Sequence, residues 1–88
     1  MYATEWCPYC RRAEALLRLK GADIEKIDLD AAPQRRAEMQ RRSGRRTVPQ
    51  IFIGETHVGG CDELHELERQ GRLDPLLAAA RPAGHPAR

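Results

Sequence analysis

Two cysteines separated by two residues, Cys7-Pro8-Tyr9-Cys10, stand near the start of the chain and constrain it more than any other stretch. Proline suits the first turn of a helix, where its fixed φ helps and its missing N–H has no intrahelical partner to lose. Pro8 therefore predicts a helix opening here, with Cys7 at the N-cap. In that position the first-turn N–H groups and the positive end of the helix face the Cys7 sulfur and favour its thiolate. Cys10 falls on nearly the same helix face, within disulfide reach but more covered by the following turns. Cys7 is thus the candidate nucleophile and Cys10 the candidate resolving thiol, since attack on a disulfide needs a thiolate. The other chemistry open to such a pair is half of a zinc site, which requires two more ligands at a suitable spacing. Only Cys61, His57, His65 and His85 remain, with no second paired motif, so no metal ligands are assigned.

The pattern on either side of the pair alternates strand and helix. Met1 to Thr4 reads as a short first strand. From Pro8 to Lys20 the apolar residues Ala13, Leu16 and Leu17 recur at helical spacing, and Gly21 marks the stop. Ile24, Ile27 and Leu29 form a second strand, completing a βαβ unit whose crossover is right-handed almost without exception. Asp30 can open the next helix, with Pro33 in its first turn, Met39 as its only large apolar residue and Gly44 at its end. Gln50 to Ile53, a Gly54-Glu55 turn and Thr56 to Val58 read as a hairpin. Gly59-Gly60 leads into a third helix with Leu64 and Leu67 inward and Gly71 at its end, and Asp74-Pro75 starts a last helical turn. Residues 81–88, with two prolines and a glycine, read as a flexible tail.

Eighty-eight residues make one small domain with a limited core. Three cysteines are too few for a secreted disulfide framework, no stretch reads as a signal peptide or a membrane span, and the cytoplasm is the expected compartment. The net charge is only +2. Arg35, Arg36, Arg41, Arg42, Arg45 and Arg46 crowd one segment, but without interleaved aromatics they read as a solvated helix face rather than a nucleic-acid surface. His57 and His65 likewise read as solvated polar positions rather than general bases.

Three motifs in order, Cys7-Pro8-Tyr9-Cys10, Thr47-Val48-Pro49 and Gly59-Gly60-Cys61-Asp62, resemble those of the dithiol glutaredoxins, especially the small bacterial type. The resemblance runs from about Tyr2 to Leu77. It implies an α/β, thioredoxin-like fold, with a four-stranded mixed sheet flanked by three to four helices in residues 1–80. It further implies a glutathione-dependent thiol–disulfide oxidoreductase. In that reading Pro49 is a cis-proline facing the active cysteines, and Val48 exposes its backbone for pairing with the cysteinyl unit of glutathione. The helix start supplies N–H groups of Gly60 and Cys61 for the γ-glutamyl carboxylate, while Asp62 takes the ammonium group, caps the helix, or does both. Tyr9 walls the groove, and Trp6 is a groove wall or an anchor. Where the family commonly carries a lysine three residues before the first cysteine, this chain has Thr4, leaving Arg45, Arg46 and Arg11 as the cations available to the glycine carboxylate.

Glutathione is therefore expected as co-substrate, with no tightly bound cofactor. Glutathionylated or disulfide-bearing proteins are the expected partners of a monomer, and glutathione reductase the indirect source of electrons. Two rival readings are a glutathione-ligated iron–sulfur module and a thioredoxin-like donor served by a flavin reductase.

Overall fold

A computed structural model of the chain describes residues 1–80; the tail at 81–88 lies outside the described residues. The elements are β1 (Tyr2–Ala3), α1 (Pro8–Leu19), β2 (Ile27–Asp28), a 3-10 turn (Pro33–Arg35), α2 (Arg36–Ser43), β3 (Ile51–Ile53), β4 (Thr56–Gly59), α3 (Cys61–Arg69) and α4 (Leu73–Ala79). This is the thioredoxin-like order that the motifs imply. The continuous four-stranded sheet, however, is replaced by two pairs: β1 runs parallel to β2, and β3 runs antiparallel to β4. A single antiparallel bridge, Tyr2 to Gln50, joins them. The cause is the brevity of β1 and β2, two residues each, which leaves room for one bridging pair and no ladder.

Strand alternation splits the apolar residues between two cores. Ile51 and Ile53 point one way and are buried with Ala13 and Leu17 of α1, Leu64 of α3 and Leu73 of α4. Phe52, between them, points the other way and packs against the cluster of Tyr2, Leu29 and Met39. Full burial of a Leu or Ile side chain contributes roughly 1.5–3 kcal/mol, so the first cluster carries most of the fold.

Helix α2 offers that arrangement little more than Met39, its one buried residue. A polar clasp compensates: the Tyr2 hydroxyl bonds Glu38, Arg42 donates to the same hydroxyl at 2.8 Å, and Arg35 donates to Glu38 at 2.8 Å. The helix also starts later than its sequence pattern indicates. Asp30 caps no helix; its carboxylate accepts the Glu5 N–H at 3.4 Å, its own N–H is taken by the Asp28 carboxylate at 2.9 Å, and the Pro33 3-10 turn intervenes. Gly44, in the left-handed region at φ 72°, ends the helix as expected.

Candidate active site

Helix α1 opens as Pro8 dictates, with Cys7 in extended backbone at the N-cap and Cys10 in the first turns. All three cysteines are free thiols; Cys7 is half-buried, and Cys10 and Cys61 are buried. Burial pushes the Cys10 thiol up to about 11, and the neighbouring Cys7 sulfur adds to the rise. The backbone and hydroxyl of Thr4 act against it by hydrogen bonding to Cys10. The residue that replaces the family's usual lysine thus serves Cys10, the partner thiol.

Across from α1, the Val48–Pro49 peptide is cis, and the Cys7 thiol donates to the Val48 carbonyl at 3.9 Å. Beside it lies an open groove of about 370 Å³ lined by Tyr9, Arg45, Thr47, Val48, Pro49, Gly60, Cys61, Asp62 and Glu63. A larger hollow of about 610 Å³ lies between Leu17, Ile24, Ile53 and Leu77, whereas the smaller groove is lined by Val48, whose carbonyl accepts from the Cys7 thiol, so the chemistry belongs to the smaller one.

The far wall of the groove is the start of α3. Gly60 is its N-cap, and the Glu63 carboxylate reaches back to accept the Gly60 N–H at 2.8 Å. That bond, with the Arg45 guanidinium behind it at 3.4 Å, holds the Glu63 carboxyl below the usual range. Only glycine fits the approach: Gly59 has φ 114°, and a Cβ there would come within 3.1 Å of the Glu63 carboxylate. Because Glu63 caps the helix, exposed Asp62 is released from that duty and faces the groove. The N–H groups of Cys61 and Asp62 have no partner among the described residues and point out of a helix start, where an anion is favoured.

A sequence model described as Glutaredoxin matches residues 1–58. A Pseudomonas aeruginosa protein named Glutaredoxin is 61% identical over 79 residues, covering 90% of this chain and 94% of the relative. The chain belongs to the glutaredoxin family. Solved glutaredoxins agree: the solution structure from Brucella melitensis is 58% identical with a TM-score of 0.78, covering 92% of this chain and 88% of that one. A buckwheat glutaredoxin–glutathione complex is 36% identical with a TM-score of 0.82, covering 90% of this chain and 74% of that one. Membership makes the chain a glutathione-dependent thiol–disulfide oxidoreductase.

Several residues stand elsewhere than a glutaredoxin motif alone indicates. Arg46 is exposed and does not line the groove; its carbonyl accepts from Arg36 at 3.3 Å. Arg45 lines the groove but is engaged with Glu63. Arg11 turns away, donating to the Glu5 carbonyl at 3.2 Å and covering the Trp6 ring. Trp6 is neither groove wall nor anchor, since it is 82% exposed. His65 is no free surface imidazole: its Nδ1 lies 3.0 Å from the Cys61 carbonyl and 3.4 Å from the Cys61 sulfur. Sequence reasoning missed Glu63, whose signal was the acid three residues after Gly60, a capping-box spacing. It also missed Gln50, a polar residue at a strand position with apolar neighbours, and misread its partner His57 as solvated.

No helix among the described residues is long and apolar enough to cross a membrane.

Proposed function

We propose that this chain reduces glutathione mixed disulfides through Cys7 alone and protein disulfides through Cys7 and Cys10 together. The observation that carries the reading is the contrast between the two thiols. Cys7 stands at a helix start beside a groove-lining carbonyl, whereas Cys10 is buried behind it with its thiol pushed up to about 11. In the first reaction Cys7 thiolate attacks the glutathione sulfur of a mixed disulfide, the partner leaves as a thiolate and is protonated, and Cys7 is left bound to glutathione. A second glutathione thiolate attacks that bond, yielding glutathione disulfide and reduced Cys7. In the second reaction Cys10 attacks the Cys7–protein mixed disulfide, expelling the reduced protein, and two glutathiones reopen the Cys7–Cys10 bridge.

The groove suits glutathione at both of its ends. Val48 offers backbone to the cysteinyl unit; the Cys61 and Asp62 N–H groups meet the γ-glutamyl carboxylate, and Asp62 meets its ammonium. Glu63 takes the Gly60 N–H, so that donor is not among them. Thr47 and Arg45 are nearest for the glycine carboxylate. Tyr9, 54% exposed, walls the opening. Electrons reach the site from glutathione reductase through glutathione, in a cytoplasmic monomer acting on glutathionylated and disulfide-bearing proteins.

Turnover of a glutathionylated peptide at fixed glutathione tests the assignment. Cys10→Ser is expected to keep this activity and lose most protein-disulfide reduction; Cys7→Ser loses both. A Cys10→Ser protein as inert toward the glutathionylated peptide as Cys7→Ser would refute the monothiol route and favour a thioredoxin-like donor.

A further inference from the structure

Among the described residues Gln50 is the one buried polar or charged residue, with no exposed surface. A carboxamide in such a place is costly unless its hydrogen bonds are met, and here the structure meets them in an ordered way. The Gln50 amide nitrogen donates to the Thr47 carbonyl at 3.0 Å and lies 3.2 Å from the Thr47 hydroxyl. A carbonyl can only accept, so the nitrogen side of the carboxamide must face Thr47 and the oxygen must face the other way. There it meets His57 Nε2 at 2.8 Å. The oxygen cannot donate, so His57 must: the ring carries its proton on Nε2.

The ring is in turn held in place. It stacks on Phe52 at 4.8 Å between centroids, and the Arg42 guanidinium lies 4.2 Å from the Phe52 ring centre. Burial lowers the His57 pKa and nearby Arg45 lowers it further against an opposing Glu63, which agrees with a neutral ring.

The backbone of the same Gln50 forms the only bridge between the two halves of the described sheet. Its N–H donates to the Tyr2 carbonyl at 3.1 Å, and the Tyr2 N–H donates to the Gln50 carbonyl at 2.9 Å. Five residues beyond Tyr2 is Cys7; two residues before Gln50 is Val48. One residue therefore sets, through its backbone, where the cysteine strand lies relative to β3, and, through its side chain, where the Thr47–Val48 loop lies relative to both.

We propose that Gln50 and His57 are positioning residues for disulfide exchange: the His57–Gln50–Thr47 relay holds the Val48 backbone at the place where it pairs with the cysteinyl unit of a glutathione mixed disulfide. The proposal rests on the glutathione site proposed above. Neither side chain lines the groove. Their effect is on binding, because a loop that presents its backbone equally to bound substrate and transition state alters KM and leaves kcat in place.

The experiment compares wild type with His57→Phe, which keeps the stack on Phe52 but removes the donor, and His57→Gln, whose amide nitrogen can replace Nε2. With a glutathionylated peptide at fixed glutathione, His57→Phe is expected to raise KM about tenfold, the scale of one buried acceptor left unpaired, with kcat within about twofold. His57→Gln is expected to recover most of that loss. In the free protein, the Val48 amide resonance should move in His57→Phe and return toward its original position in His57→Gln. Unchanged KM in His57→Phe, or no recovery in His57→Gln, overturns the proposal. If wild type itself fails to turn over the peptide, the glutathione site is wrong, and the Val48 resonance still decides the relay: a resonance unmoved by His57→Phe refutes it.

Discussion

Closure of the Cys7–Cys10 disulfide should be limited by the ionisation of Cys10. Burial raises the Cys10 thiol from its ordinary 9.0 to about 11, leaving about one molecule in ten thousand as thiolate at pH 7. A free thiol such as that of glutathione, near 8.5, is about 3% ionised at the same pH, some three hundred times more. Part of the Cys10 rise comes from the adjacent Cys7 sulfur and lessens once that sulfur is tied up in a mixed disulfide. The larger part is burial, which stays. In the intermediate the inflection therefore stays above that of an ordinary thiol, and below it closure gains about tenfold per pH unit. The assay is single-turnover: protein glutathionylated on Cys7 is shifted to each pH without added thiol, quenched with acid, and the released glutathione is counted. Cys10→Ser should release none on the same timescale. Thr4→Val removes a hydroxyl that favours the Cys10 thiolate, and should move the inflection upward. A closure rate flat from pH 7 to 9 would refute the reasoning, as would equal release from Cys10→Ser, which would hand the step to Cys61.

Asp62→Ala should raise KM for glutathionylated peptides about tenfold or more, the scale of a charged hydrogen bond to ligand, while alkylation of Cys7 by a neutral reagent changes little; an unchanged KM removes Asp62 from the site. The Tyr2–Glu38–Arg35 clasp gives a test of stability in acid. Hydrogen bonds from Arg35 and then Tyr2 lower the Glu38 carboxyl from 4.5 to about 2, so its contribution is complete above pH 4.5 and is lost as pH falls toward 2. Urea midpoints measured from pH 6 to 2 should fall more steeply for wild type than for Glu38→Gln, and parallel curves would mean that the clasp contributes nothing.

What the sequence made legible were the features whose physics is local. Pro8 after Cys7 dictates a helix start whatever lies around it, and Gly44 and Gly71 end helices because each adopts the left-handed backbone that L side chains avoid. The alternation Ile51-Phe52-Ile53 implies two faces, and two separate cores receive them. What stayed hidden depended on partners far apart in the chain. His57 is polar, half-buried and on a strand, and nothing in its neighbours in sequence shows that an amide seven residues earlier needs a donor. Arg11 and Arg45 satisfied the motif's demand for cations by position, yet one is drawn to the Glu5 carbonyl and the other to Glu63, so a count of arginines overstates the positive charge available to a carboxylate ligand. Glu63 matters twice in that account, since it occupies both a donor of the α3 start and the nearest groove cation. If the groove binds its anion as proposed, with two backbone N–H groups and an arginine shared with Glu63, its affinity should depend less on salt than that of a site built from several free arginines.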